Sequence, residues 1–335
     1  MTLAEIAQLI QARGDEARHL RDRADKITRR QFGDGVYVRG IIEFSSYCSC
    51  NCCYCGLRAD NSALTRYRLT PEQVAQAARE VETMGVGTVV LQSGEDPWWT
   101  ADRLARLIAE IKQTTSLAVT LSVGERERWE YAVWRDAGAD RYLLRHETID
   151  PELYARMHPG ASQEHRIACL EALAELGYQV GAGSLVGLPG QTVESLAEDL
   201  LFMKRMNLHM GGIGPVVPHP GTPLGATPPG STETAVNMMA LLRILIPDIM
   251  LPATTSLETS MSGGRLAGLH SGANVIMPNL TPRSVAAGYE IYPGKRAPGL
   301  SLKSELQTAR DVIAAAGRHI ADGPGHSPRC AACGG

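Results

Sequence analysis

The sequence predicts an α/β protein built as a (β/α)8 barrel of the TIM-barrel kind, with a helical extension before it and a short mobile tail after it. Three observations carry that prediction. Eight short β-rich runs alternate with helical stretches along most of the chain, a pattern that implies parallel strands joined by crossover helices. The residues just after those runs are unusually polar, as at the C-terminal face of such barrels, where reactive groups gather. The 335 residues hold one barrel of about 250 residues plus extensions.

Residues 1–36 place Leu3, Ile6, Leu9, Ile10, Ala17, Leu20 and Ala24 at helical spacing, which predicts two short helices packed on the outside of the barrel. Residues 37–296 form the barrel. Its strands are predicted at 40–44, 88–92, 118–122, 141–145, 179–184, 212–217, 249–254 and 274–277, and its helices at 71–84, 101–113, 126–136, 162–176, 193–206 and 231–244. Thr70-Pro71-Glu72-Gln73 is a helix start, with Thr as N-cap and Pro at N1. Gly85 and Gly177 stand where C-caps end helices. The strand ends carry Ser93-Gly94-Glu95-Asp96, Ser122-Val123-Gly124-Glu125, Arg145-His146-Glu147-Thr148, Ser184, His219, Thr254-Thr255 and Pro278-Asn279. A last helix near 302–316, within residues 297–321, packs on the barrel, and residues 322–335, rich in Gly, Pro and Ser, form a flexible tail.

Composition narrows the function classes. Hydrophobic residues are 44% and charged residues 21%, an ordinary globular balance that excludes disorder as a global state. A net charge of -3 leaves no basic surplus to drive binding to nucleic acid or a membrane surface. The most apolar stretch, 240–251, is broken by Arg243, Pro247 and Asp248, so no run reaches the roughly 20 apolar residues of a membrane span. The first residues lack the basic and apolar regions of a signal peptide. These features predict a cytoplasmic protein.

The eight cysteines are more telling by position than by number. Cys48, Cys50, Cys52, Cys53 and Cys55 crowd together, Cys330 and Cys333 form a pair near the end, and Cys169 stands alone. In a cytoplasmic chain such crowding reads as metal or redox chemistry rather than a disulfide framework. Three of them read as Cys48-x3-Cys52-x2-Cys55, just after the first strand. Thiolates hold iron–sulfur clusters, and three ligands on a four-iron cubane leave one iron open to another molecule. Tyr54, between the last two ligands, is placed to cover the cluster edge or touch a bound ligand. The alternative is a four-thiolate zinc site, in which Cys50-x2-Cys53 or Cys52-x2-Cys55 joins Cys330-x2-Cys333. Cys50 and Cys53 otherwise read as loop residues without a ligand role, and Cys169 as a small core residue.

With this triplet on the first loop of a predicted barrel, the chain resembles radical S-adenosylmethionine (SAM) enzymes. Within that superfamily it is most similar to the [FeFe]-hydrogenase maturases of the HydE type. The resemblance covers residues 35–295. It rests on Arg39-Gly40-Ile41-Ile42-Glu43-Phe44-Ser45, Tyr54-Cys55-Gly56-Leu57-Arg58, Leu91-Gln92-Ser93-Gly94-Glu95-Asp96-Pro97 and Arg141-Tyr142-Leu143-Leu144-Arg145-His146-Glu147-Thr148. It rests also on Val186-Gly187-Leu188-Pro189-Gly190-Gln191-Thr192 and Gly272-Ala273-Asn274-Val275-Ile276-Met277-Pro278-Asn279.

The resemblance implies that Cys48, Cys52 and Cys55 hold a [4Fe-4S] cluster whose open iron chelates the methionine part of SAM. Electron transfer from the cluster then yields a 5′-deoxyadenosyl radical. That radical acts on a cysteine-bound iron carbonyl–cyanide complex, a precursor of the hydrogenase diiron (H-cluster) subsite. Tyr54, Gln92, Ser93, Gly94, Glu147 and Arg166 match SAM-contacting positions. Arg145, Thr120, Ser122, Thr254, Thr255 and Met277 match positions that line the substrate cavity. Plain readings stand beside these: a solvated turn for Ser93-Gly94-Glu95, an exposed helix residue for Arg166, core packing for Met277. His146 is assigned a structural role, because strand alternation turns it away from Arg145; His219 is a candidate for the cavity.

The expected partners are the organometallic iron–cysteine substrate and, transiently, the other hydrogenase maturases. One departure concerns the end of the chain. Relatives often carry cysteines for an auxiliary cluster before the last helix, whereas residues 297–305 contain none here. Two other functions remain in view: a radical SAM enzyme on another small substrate, as in methylornithine synthase or biotin synthase, and a non-catalytic zinc-binding scaffold.

Overall fold

Alternation along each β-rich run gives a strand one face toward covering helices and one toward a barrel interior. Ile42, Phe44, Val89, Leu91, Val119, Leu121 and Tyr142 are fully buried in one apolar cluster with helix residues. Between them, Ile41, Glu43, Val90, Thr120 and Arg141 point inward. The computed structural model describes residues 1–295 and 301–330. Six strands form one parallel sheet in chain order: Gly40–Ser45, Thr88–Ser93, Ala118–Ser122, Arg141–Leu143, Gln179–Ala182 and Met210–Gly211. Single-residue parallel bridges continue it from Met210 to Met250, from Pro252 to Val275 and from Asn279 to Ile41. The ring closes with eight strand positions, which is the barrel.

Several strands differ from expectation, three of them in their course. The sixth begins at Met210, two residues early, and is interrupted before a short Gly214–Pro215 piece. A two-residue shift keeps every side chain on its face. The seventh, expected at 249–254, shrinks to bridges at Met250 and Pro252, because Pro252 has no N–H to give to a ladder. The first strand starts early, as Gly35–Val38 pairs with Val275–Ile276 on one side and His319–Ile320 on the other.

Six barrel helices form where the pattern places them. Thr70 accepts from the Gln73 amide at 3.3 Å while Gln73 reaches back to the Thr70 amide at 2.8 Å, a reciprocal cap. The extension forms Leu3–Ile10 and a longer helix, Gly14–Phe32. Asn237, wholly buried, ties it to the barrel, donating to the carbonyls of Ile10 at 3.1 Å and Ala12 at 3.0 Å and accepting from Arg21. Among the described residues no helix is long and apolar enough to cross a membrane.

The tail corrects an expectation. After helix Leu302–Ala315 and strand His319–Ile320, residues 322–330 run under the N-terminal end of the barrel instead of hanging free. The Pro324 carbonyl accepts from Thr88 at 2.7 Å and from Arg141 at 2.9 Å, and the Gly325 carbonyl accepts from Arg39 at 2.9 Å. Arg39 and Arg141 lie inside the barrel, where a guanidinium is costly without acceptors; the tail backbone provides them. Cys333 and the expected boundary at 296–297 lie outside the described residues.

Candidate active site

The C-terminal strand ends open on one cavity of about 330 Å3. Its wall is built first by the loop after Ser45, which has little regular structure and is fixed through its backbone. Ser49 N donates to the Glu95 carbonyl at 2.9 Å, Cys53 N to Met157 at 2.9 Å and Gly56 N to Ile291 at 2.9 Å. His219 N donates to the Tyr54 carbonyl at 3.0 Å. Arg66 gathers the carbonyls of Ser46, Leu57 and Arg58 at 2.7 to 3.0 Å. A Cβ on Gly56 would lie 2.1 Å from the Glu290 carbonyl oxygen, so only glycine fits there.

This loop sorts the crowded cysteines. Cys48, Cys52 and Cys55 all line the cavity, and so does Cys50. Cys53 turns away, its Sγ 3.4 Å from the Arg156 carbonyl. A hydrogen bond from Cys50 holds the Cys48 thiol below its ordinary pKa, whereas burial pushes Cys52 up and Cys55 up to about 12. Three thiols on a backbone-fixed loop, facing one cavity, are the donor set an iron–sulfur cluster takes. The zinc alternative loses its second half: Arg329, beside Cys330, binds the Leu208 carbonyl and Asp248, at the opposite end of the barrel. Cys169 is buried in the core.

The end of the second strand closes on this loop. A Cβ on Gly94 would meet the Tyr47 carbonyl oxygen at 2.3 Å and the Cys48 Cβ at 2.6 Å. Gln92, Ser93 and Gly94 line the cavity, and the Ser93 hydroxyl donates to the Gly94 carbonyl at 2.7 Å. Beneath them buried Asp96 accepts from Arg68 at 2.7 and 3.0 Å and from Ser45 at 2.6 Å.

Glu147 and Arg166 enter from the fourth strand end and its helix. Glu147 has φ 64°, a left-handed conformation that costs about 1–3 kcal/mol outside glycine. Its backbone is pinned on both sides, N–H to Gly183 O and carbonyl to Leu185 N, each at 2.9 Å. Its Oε2 is buried without a hydrogen-bond partner and faces Arg145 Nε at 3.3 Å. Arg166 is buried rather than exposed. It is paired with Glu125, donates to the Arg145 carbonyl at 2.8 Å and lies 4.0 Å from Glu95. Burial opposes its charge, but Tyr154 and these carboxylates more than offset that and hold its pKa above the ordinary value.

The remaining wall holds Arg145, Ser122, Thr254, Thr255 and Met277. Arg145 donates to the Ser184 carbonyl at 2.7 Å and has Glu147 for a partner, so an internal carboxylate, not only a ligand, compensates its charge. Thr120 departs from expectation: it points into the barrel two residues below Ser122, its buried hydroxyl has no hydrogen-bond partner, and the cavity floor lies above it. His146 faces the helix Val193–Arg205, 3.4 Å from Asp199, both fully buried. His219 does not line the cavity; its ring packs where a Gly56 Cβ would stand, 3.8 Å from Glu290.

Several cavity residues escaped sequence reasoning. His158 accepts or donates a 2.8 Å hydrogen bond with the Tyr54 hydroxyl and stacks on Tyr154 at 4.2 Å. Burial keeps its imidazole pKa below the ordinary range. Ile291, Tyr292 and Lys295 arrive from the segment after the eighth strand, where no motif marks them. Lys295 is paired with buried Glu43, whose other oxygen accepts from Asn279 at 2.8 Å.

Comparison with known proteins adds to this geometry. The radical SAM superfamily model matches residues 42–203. The [FeFe] hydrogenase maturase subunit HydE of Thermotoga maritima is 52% identical over 272 residues, 81% of this chain and 78% of that protein. The 3-methylornithine synthase of Methanosarcina acetivorans is 30% identical over 271 residues, 80% of this chain and 76% of that protein. The crystal structure of methylornithine synthase (PylB) superposes with a TM-score of 0.85, covering 96% of this chain and 94% of that one at 25% identity.

Proposed function

Because the chain belongs to the radical SAM superfamily and, within it, to the family of [FeFe] hydrogenase maturase subunit HydE, we propose that its cavity takes SAM and a cysteine-bound iron carbonyl–cyanide complex, a precursor of the hydrogenase diiron subsite. It is a radical SAM enzyme of hydrogenase maturation. The observation that carries the finer reading is one cavity lined by four loop thiols, three of them in the Cys48-x3-Cys52-x2-Cys55 spacing, with a buried guanidinium and a carboxylate oxygen without a hydrogen-bond partner.

In this reading Cys48, Cys52 and Cys55 hold the [4Fe-4S] cluster. A cluster held there would supply one-electron reducing chemistry to a bound SAM. The chain's own residues bind, orient and exclude water. Arg166 offers its fork to the SAM carboxylate. Glu147 accepts from the ribose hydroxyls or the amino group, and the Ser93-Gly94 backbone receives the amino group. Gln92 and Tyr54 wall the site, with His158 fixing the Tyr54 hydroxyl. Arg145, Ser122, Thr254 and Thr255 present donors suited to carboxylate and cyanide, and Met277 supplies apolar contact. Thr120 joins them only if the substrate reaches one layer deeper.

The test tracks the complex and SAM together. Reconstituted anaerobically, the protein is expected to convert the complex only with SAM and reductant, forming 5′-deoxyadenosine in step. Alanine at Cys48, Cys52 or Cys55 should abolish both. Cleavage of SAM with no change in the complex would move the substrate to another small molecule. The methylornithine synthase overlay makes an amino acid such as lysine the first to try.

A further inference from the structure

Lys295 has no place in the sequence motifs, yet it is one of the residues that line the cavity. It rides on a segment that crosses the cysteine loop: Gly56 N donates to the Ile291 carbonyl at 2.9 Å, and Thr259 donates to the Gly294 carbonyl at 3.3 Å. The ammonium pairs with Glu43, on the first strand, and lies 4.6 Å from the centre of the Tyr289 ring. The Glu43 side chain is 1% exposed and that of Lys295 10%. A pair this deep costs much of what it gains in desolvation, so a merely stabilising role is a weak account of it.

Ring order places it. Glu43 is on the first strand and Asn279 at the end of the eighth, while Arg145 follows the fourth by two residues. In an eight-membered ring the fourth position stands opposite the eighth. Lys295 and Arg145 are therefore cations on facing walls, with the hydroxyls of Ser122, Thr254 and Thr255 on the lining between. Arg166, on the same lining, is the cation assigned above to the SAM carboxylate and is held in place by Glu125 and the Arg145 carbonyl.

We propose that Lys295 is a specificity-determining residue: its ammonium grips one end of a two-ended anionic substrate whose other end is held by Arg145, and Glu43 with Asn279 keeps it aimed until the substrate arrives. This rests on the reading of the cavity as the site of the iron carbonyl–cyanide complex. It deepens that reading by requiring acceptor groups at both ends of the ligand.

The test titrates the holoenzyme, with cluster and SAM, with the cysteine-bound iron carbonyl–cyanide complex. Binding is read from the infrared cyanide and carbonyl bands, without turnover. K295M should weaken binding about tenfold or more, the scale of a lost charge-assisted hydrogen bond, and should shift the cyanide band. K295R should recover most of the affinity. E43Q keeps the ammonium and removes its competitor, so it should tighten binding. Affinity within about twofold of wild type in K295M, or equal losses in K295M and E43Q, would overturn the proposal and leave the pair as a structural tie. If K295M fails to take up iron, the K295R and E43Q comparison decides alone. No binding by the wild-type protein would instead overturn the substrate reading itself, a different result from wild-type binding that ignores Lys295.

Discussion

At φ 64° Glu147 stores backbone strain where its carboxylate meets the cavity, and the neighbouring fifth strand end enforces it with two hydrogen bonds. Strain held this way is characteristic of a group that must be aimed. E147Q keeps the shape and removes the charge. It is expected to raise the KM for SAM about tenfold or more, since a charge-assisted hydrogen bond is worth about 1.5–3 kcal/mol; an unchanged KM would remove Glu147 from SAM binding. R166K tests the fork: lysine keeps the charge and loses the paired donors. SAM affinity should fall in R166K although the thiols are untouched, as equilibrium dialysis would register. Glu147 was legible because it sits in a family motif, and Arg166 only as a position matched through the resemblance, outside the quoted motifs. Glu125, His158 and Lys295 were not: their roles arise from long-range contacts, such as Arg166 to Glu125 across 41 positions of the chain, and no periodicity records those.

At the level of elements, the cysteine loop has little regular structure, so nothing in its sequence except the thiol spacing announces a site. It is held by carbonyl and amide contacts to neighbouring loops, and Gly94 packs directly against its first cysteine. G94A would drive a Cβ to within 2.6 Å of the Cys48 Cβ. The expected result is a folded protein whose iron content after reconstitution falls well below wild type. Full iron loading of G94A would show that the loop yields more easily than its hydrogen bonds imply. The barrel helices and the first five strands could be read from periodicity and caps, because burial on one face imposes both. The seventh strand could not, since Pro252 leaves only isolated bridges. The helix Pro151–Met157, whose end anchors Cys53, was missed because it is too short for a periodic signal.

Across the whole molecule the two barrel ends have opposite duties. One end gathers the chemistry; the other is closed by the docked tail. His326 is central to that closure: its Nδ1 contacts Arg141 at 2.8 Å and Gln179 at 2.7 Å. Both are donors, so the imidazole must be neutral there. Burial, then the charge of Arg141, lower its pKa from 6.5 to about 4. Between those values the unfolded chain binds more protons than the folded one, so stability from this contact falls as pH falls from 6.5 and is lost below about 4. Melting temperatures of wild type and H326A should differ most near neutral pH and converge toward the acid end. A gap independent of pH would mean the imidazole plays no part in docking. Composition suggested a free tail because Gly and Pro are common there; it gave no sign of the buried arginines that the tail carbonyls serve. The central claim, a maturase built on the thiol-lined cavity, is tested most directly by in vitro maturation. Apo-[FeFe]-hydrogenase is incubated anaerobically with the other maturases, SAM and reductant, with this protein, without it, or with its C52A variant. The expected result is hydrogen evolution only with the intact protein. Equal hydrogen evolution with the C52A variant, or none with a fully iron-loaded wild-type protein, would contradict it.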